Sequence, residues 1–140
     1  MTGRLAFDIL KIINNYFMNL NVKTTNLELS QSVEDYLRKK IGMLSKVVDL
    51  ERDNVFIQAE IGRITEHHRT GVVFMAEINL HIGGRHYRAV ADKEDLYAAI
   101  DIAKDELMAE VKKSKDRRKS LVRRGAQRIK NMLRFGRNSQ

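Results

Sequence analysis

Residues 72–91 read VVFMAEINLHIGGRHYRAVA, two runs of alternating side chains joined by a pair of glycines. Apolar residues at every second position from Val72 to Ile82 predict a strand with one buried face and one face in water, as is typical of an antiparallel sheet. The glycine pair tolerates the backbone angles of a two-residue hairpin turn, so residues 85–91 are predicted to return as a second strand. The buried side of this hairpin needs a covering layer.

The sequence on either side of the hairpin supplies that layer and two more strands. Upstream, residues 19–24 and 55–61 alternate as two more strands, and Ser30 is the expected N-cap of a helix between them. Downstream, we expect a second helix with Asp92 as its N-cap and Asp95 three residues further on. The order predicts an α+β domain with two helices on one face of a four-stranded sheet. The apolar helix stripes are Val33, Leu37, Ile41, Leu44 and Val48, and then Leu96, Ile100, Ala103, Leu107 and Val111.

Positive charge is concentrated at one end of the chain. Residues 109–140 hold 12 Lys and Arg but only 2 Asp and Glu, a net charge of +10 in a chain whose total is +8. Such a segment repels itself unless a polyanion neutralises it, and a nucleic-acid backbone is well suited to do so. The alternative is a solvated tail without a dedicated partner. Within residues 120–140, apolar positions at Val122, Ala126, Ile129 and Leu133 indicate a short basic amphipathic helix, or a segment that becomes helical on binding.

The chain lacks residues that several functional classes require. The chain has no Cys, which excludes disulfides and thiol catalysis, and no apolar run long enough to span a membrane. It has no nucleophile elbow, P-loop or dinucleotide-binding glycine pattern. We therefore expect a cytoplasmic binding module that is not an enzyme and uses no cofactor, metal or small-molecule substrate. A metal site at His67, His68, His81 and His86 is the alternative to solvated or RNA-facing histidines.

The basic residues are predicted to contact phosphates and the shape of structured RNA, because no aromatic side chain is interleaved with them for base stacking. One group, here called the cationic ridge, extends the second helix outward beyond its apolar stripe. The predicted RNA-binding residues are Arg38, Lys39 and Lys40 on the first helix, Arg85, Arg88 and Lys93 near the sheet end, Lys104, and the ridge residues Lys112, Lys113, Lys115, Arg117, Arg118 and Lys119.

Two stretches resemble a known family. Residues 92–101 read DKEDLYAAID and follow a Gly-Gly turn and a strand, which is similar to the Asp-Met-Tyr-Ala-Ala-Ile-Asp signature of the ribosome hibernation-promoting factors. This family includes the ribosome-associated inhibitor and was formerly labelled sigma-54 modulation proteins. Residues 26–30 and 36–41 resemble the start and middle of its first helix. The resemblance extends over about residues 18–119 and identifies a short member, without the separate dimerisation domain of long members.

The resemblance implies a fold and a function. The fold is β-α-β-β-β-α, similar to double-stranded-RNA-binding domains. The partner is the small ribosomal subunit, mainly its RNA, in the channel that mRNA and tRNA occupy, so that idle ribosomes are silenced under stress or in stationary phase. Glu106 and Ala109 depart from the family, which usually has basic residues there. A regulatory module that acts on a transcription factor is the alternative function.

The expected organisation has three parts. Residues 18–119 form the ribosome-binding domain, and residues 120–140 form a basic tail that is mobile until it meets RNA. Residues 1–17 precede the family's usual start and are interpreted as an extension, with translation from Met18 as the alternative.

Overall fold

The computed structural model describes residues 18–65 and 71–137, and it confirms the α+β class and the β-α-β-β-β-α order. The extension 1–17 and the residues His67 and His68 lie outside the described part of the chain. A short 3-10 helix, Met43–Lys46, follows the first helix. The other elements are β1 (Leu20–Thr25), α1 (Gln31–Gly42), β2 (Val55–Ile64), β3 (Val73–Ile82), β4 (Arg85–Lys93) and α2 (Leu96–Arg137).

The four strands form one sheet in the order β1-β2-β3-β4. β2, β3 and β4 pair antiparallel, but β1 pairs with β2 in parallel, so the sheet is mixed. The reason is α1, which carries the chain from the end of β1 back to the starting end of β2 as a crossover connection. β1 and β4 are therefore the two edge strands.

The hairpin between β3 and β4 has the predicted two-residue turn. Ile82 pairs with Arg85, and Gly83 adopts the positive φ of +58° that side chains disfavour. The N–H of Gly83 donates a 2.8 Å hydrogen bond to the carbonyl of Asn54, which fastens the turn to the start of β2. This register places His81 directly opposite His86.

One face of the sheet holds the core. Alternate residues of β2, β3 and β4 are buried there, and the stripes of α1 and α2 supply the covering layer. The expectation that Val72 belongs to the buried row is wrong, because the pairing with β2 begins at Val73 and Val72 is exposed. The fully buried side chains include Leu37, Ile41, Ile57, Ile61, Ile78, Leu80, Ile100 and Leu107.

Side-chain caps set the starts of both helices. The Ser30 hydroxyl accepts a hydrogen bond from the N–H of Val33, as predicted. For α2 the prediction is wrong: the cap is Asp95, whose carboxylate accepts from the N–H of Ala98, while Asp92 lies within β4. The β4 ladder continues through Lys93 opposite Phe74, which keeps Asp92 extended.

The chain divides into two compact units after Met108. In the second unit, residues 109–137 are helical, so the tail predicted to be mobile has regular structure up to Arg137. Helix nucleation is the costly step, and a segment that continues an existing helix gains one hydrogen bond per added residue. Val111 is the last buried apolar residue, and the apolar side chains beyond it, from Leu121 to Phe135, are 62–76% exposed.

Candidate nucleic-acid interface

The cationic ridge lies entirely within the helical second unit. Lys112, Lys113, Arg117 and Lys119 are exposed, whereas Lys115 and Arg118 are half-buried. Successive helix residues point about 100° apart, so the six cations surround much of the helix and do not form a single line. Within the described part of the chain, no carboxylate lies within 4.0 Å of the charged groups of the four exposed residues. Their charge is available to a phosphate without the loss of an internal ion pair.

The three cations of α1 differ in their availability. Lys39 is exposed, but Arg38 forms an ion pair with Glu34 at 3.2 Å, one helical turn earlier. Lys40 forms an ion pair with Asp101 of α2 at 3.1 Å. Of this group, Lys39 is therefore best placed for an external phosphate.

Asp101 is the centre of a polar cluster between α1 and α2. It accepts a 2.7 Å hydrogen bond from the Tyr36 hydroxyl in addition to its bond with Lys40. Burial alone would raise the pKa of Asp101, but the hydrogen bonds from Tyr36 and Lys40 outweigh it and lower that pKa below its usual value. The same contact with Asp101 raises the pKa of Lys40.

Asp101→Asn should make stability depend less on pH. A carboxylate with a lowered pKa stabilises the fold above its unfolded-state pKa, and that contribution is lost as the pH falls through the lowered value. The side chain is 38% exposed, so solvent screening limits the expected loss at neutral pH to about 1 kcal/mol. The check is denaturant unfolding at pH 7 and pH 3, with Asp53→Asn as an exposed control. A gap between wild type and Asp101→Asn that does not narrow between pH 7 and pH 3 would contradict this.

Tyr97 packs edge-on against Tyr36, with ring centroids 4.7 Å apart and an interplanar angle of 87°. Within the described residues, its hydroxyl has no hydrogen-bond partner. Tyr97→Phe should therefore change neither thermal stability nor ribosome binding, whereas Tyr97→Ala should lose about 1 kcal/mol of stability because the aromatic pair is removed. Thermal melts and ribosome pelleting measure the two effects. If Tyr97→Phe lost ribosome binding at unchanged melting temperature, the hydroxyl would be a direct RNA contact.

The cations of the sheet are spread along β4. Arg85 and Lys93 are exposed at its two ends, and Arg88 lies between them. Arg88 donates from Nε and Nη2 to the two carboxylate oxygens of Glu77, at 3.0 and 2.9 Å. The hydrogen bonds from Arg88 and Asn79 lower the pKa of Glu77. Arg88 therefore keeps both N–H groups of Nη1 and one N–H of Nη2 for an external partner.

Lys104 is placed differently from the other predicted contacts. It is only 6% exposed, and its ammonium group forms an ion pair with Asp105. A phosphate would have to compete with Asp105 for a charge that is largely covered. Lys104 is therefore poorly placed to contact an RNA phosphate.

The outer face of the sheet holds an aromatic stack that the sequence interpretation missed. Phe56 stacks on His81 with centroids 4.1 Å apart, and His81 stacks on His86 at 4.4 Å. Burial, followed by the neighbouring His86, lowers the pKa of His81. Alternation in β2 already places Phe56 on the outer face, opposite to Val55 and Ile57. Only the β2–β3 register, which pairs Phe56 with His81, shows that it joins the histidines.

A metal site has no support within residues 18–65 and 71–137, where no three His, Asp or Glu side chains are grouped to hold an ion. His86 instead contacts the Asn79 side-chain oxygen through Nε2 at 3.0 Å. Its second neighbour is the His81 ring, and a stacked ring is not a ligand arrangement.

Residues 20–119 match the family described as Sigma 54 modulation protein / S30EA ribosomal protein. The chain belongs to this family. The match begins with β1 and ends with the last residue of the cationic ridge, so it covers the whole sheet, both helix stripes and every predicted contact residue. The resemblance found in residues 92–101 is confirmed.

Similar proteins within the family carry consistent names. The chain is 30% identical over 84 residues to a ribosome hibernation promoting factor of Klebsiella oxytoca, which covers 60% of this chain and 79% of the relative. It is 26% identical over 84 residues to the factor of the same name from Escherichia coli strain K12, with the same coverage. The crystal structure of the Thermus thermophilus Protein Y N-terminal domain aligns with a TM-score of 0.53 and 29% identity, covering 69% of this chain and 98% of that one.

None of the helices in the described part of the chain is long and apolar enough to cross a membrane.

Proposed function

We propose that this protein is a ribosome hibernation factor of the bacterial cytoplasm, which binds the small ribosomal subunit in the mRNA and tRNA channel and silences translation under stress or in stationary phase. The family match over residues 20–119 carries the proposal. The names of the relatives, which are ribosome hibernation promoting factors, support the same role here. The mechanism is occlusion: the bound protein excludes the natural ligands of the channel and needs no catalytic step.

Electrostatics supply the attachment in this mechanism. The four exposed ridge cations, together with Lys39, Arg85 and Lys93, offer charge to ribosomal RNA phosphates. Each phosphate contact releases condensed counterions, so the affinity should fall steeply with salt. The first unit, with the sheet and α1, provides the volume that blocks the channel.

The deciding experiment is co-sedimentation of the full chain with purified small and large subunits at several salt concentrations. We expect binding to the small subunit, displacement by mRNA together with tRNA, and inhibition of translation in a reconstituted system. Equal binding to both subunits, or binding that mRNA and tRNA leave unchanged, would overturn the channel assignment.

The family description also contains the term Sigma 54 modulation, which favours a regulatory contact with a transcription factor as the second candidate. Titration of the protein with purified sigma-54 factor in the absence of ribosomes tests it. Submicromolar binding to that factor, with no affinity for small subunits, would replace the first proposal with the second.

Removal of residues 120–140 should weaken ribosome binding without destabilising the body. The segment contains six Lys and Arg and no Asp or Glu, so its contribution should be largest at low salt. None of its described residues is buried, so the melting temperature should stay within about 2 °C of the full chain. Pelleting assays at 50 and 200 mM salt and a thermal melt check both statements. A large drop in melting temperature would show that the segment is part of the folded core.

A further inference from the structure

Three rings stand in a row on the open face of the sheet. The interplanar angles are 5° for Phe56–His81 and 19° for His81–His86, so the three rings are nearly parallel. Their separations of 4.1 and 4.4 Å are close to the distance between neighbouring strands. The row therefore runs across the sheet from β2 through β3 to β4, and the rings face one another.

A row of this kind has free ring faces only at its two ends. β1 pairs with β2 only from Ile57 onward, so Asn19, and not a strand residue, adjoins Phe56. At the other end, β4 is an edge strand, and within the described residues no strand pairs beyond His86. Within the described residues, no aromatic ring or cation lies against the outer face of His86. The hydrogen bond to Asn79 fixes the orientation of the ring, so this face is pre-organised for stacking against a planar group.

The neighbouring side chains favour a nucleotide as that planar group. Arg88 lies on the same face two residues further along β4, and its Nη1 group is not used in the contact with Glu77. A ring face beside a guanidinium group matches a nucleobase with its phosphate, because stacking binds the base and charge binds the backbone.

We propose that the outer face of His86 is a stacking site for one unpaired RNA base, which extends the Phe56–His81–His86 row beyond the edge of the sheet. The proposal rests on the proposed function, since it assigns a second mode of RNA contact to the same protein. Base stacking on His86 gives the protein a preference for single-stranded RNA over duplex RNA, which phosphate contacts alone do not provide. The N–H groups of Arg88 that Glu77 does not use hold the adjoining phosphate.

The test uses the full chain and a ten-nucleotide single-stranded RNA with a central 2-aminopurine, whose fluorescence is quenched on stacking. We expect wild type to quench the probe, and His86→Ala to bind it about tenfold more weakly with little quenching at saturation. His86→Phe should restore both signals, because it keeps the ring. Val90→Ala, on the same face of β4 and outside the row, is the matched control and should behave as wild type. Thermal melts confirm that every variant is folded.

Two results would overturn the proposal. The first is a His86→Ala protein with wild-type affinity and quenching. The second is the absence of quenching by wild type together with a loss of ribosome binding in His86→Ala, which would assign the row to a protein partner. The oligonucleotide assay contains no ribosomes, so failure of the stacking site and failure of the ribosome-binding proposal are separate results.

Discussion

We expect ribosome affinity to fall by on the order of 10³-fold near 0.1 M salt when Lys112, Lys113, Lys115, Arg117 and Arg118 are all replaced by Gln. The reason is counterion release, because each phosphate contact contributes about one unit to the slope of log affinity against log salt concentration. The slope should therefore become shallower by at least about three units, one for each of the exposed residues Lys112, Lys113 and Arg117, and by at most about five. Binding isotherms at four or more salt concentrations measure the slope and the affinity together.

The chain offers a matched control on the same helix. Arg123, Arg124, Arg128, Lys130 and Arg134 are also five cations, all exposed, and lie further along α2 outside the family match. Their replacement by Gln should cost less affinity and reduce the slope by fewer units. An unchanged slope in the first variant, or equal effects in the two variants, would show that the ridge has no special role.

Leu80→Ala should lower the free energy of unfolding by about 2–5 kcal/mol. Leu80 is fully buried in β3, which is an inner strand of the sheet, so the substitution leaves a cavity that close-packed neighbours fill only in part. For a body of about 100 residues, each kcal/mol corresponds to a fall in melting temperature of about 4–8 °C. Denaturant and thermal unfolding give both quantities.

Val90→Ala is the control for this second prediction. Like Leu80, Val90 is a branched apolar residue of the sheet, but it lies on the outer face of β4 and is 36% exposed. Its truncation should cost less than about 1 kcal/mol. Similar losses in both variants would contradict the assignment of the core to one face of the sheet.

Much of the fold follows from local rules that operate within one element. The hairpin at Gly83-Gly84 and the Ser30 cap are confirmed because each depends on neighbouring residues alone. The predicted N-cap of α2, in contrast, was wrong. Asp92 and Asp95 fit a cap equally well in sequence, and the β3–β4 ladder, which extends to Lys93, decides between them.

For the candidate interface, too, some features can be predicted from the sequence and others cannot. Composition alone places the positive charge in residues 109–140, and the helix stripe ends at Val111 as the spacing predicts. Sequence cannot show that Lys104 is covered, that Lys40 is bound to Asp101, or that Arg88 is bound to Glu77. These partners come from other turns or elements, and the availability of a charge depends on what packs beside it.

The sequence by itself determined the α+β class, the strand and helix order, and the concentration of cations at one end, because periodicity and composition are properties of the chain. Only the tertiary structure decided that β1 runs parallel to β2 and that Phe56, His81 and His86 form one row. Strand pairing joins residues far apart in the chain, and its register depends on how the whole apolar face is buried against the helices. The row of rings is a consequence of that register.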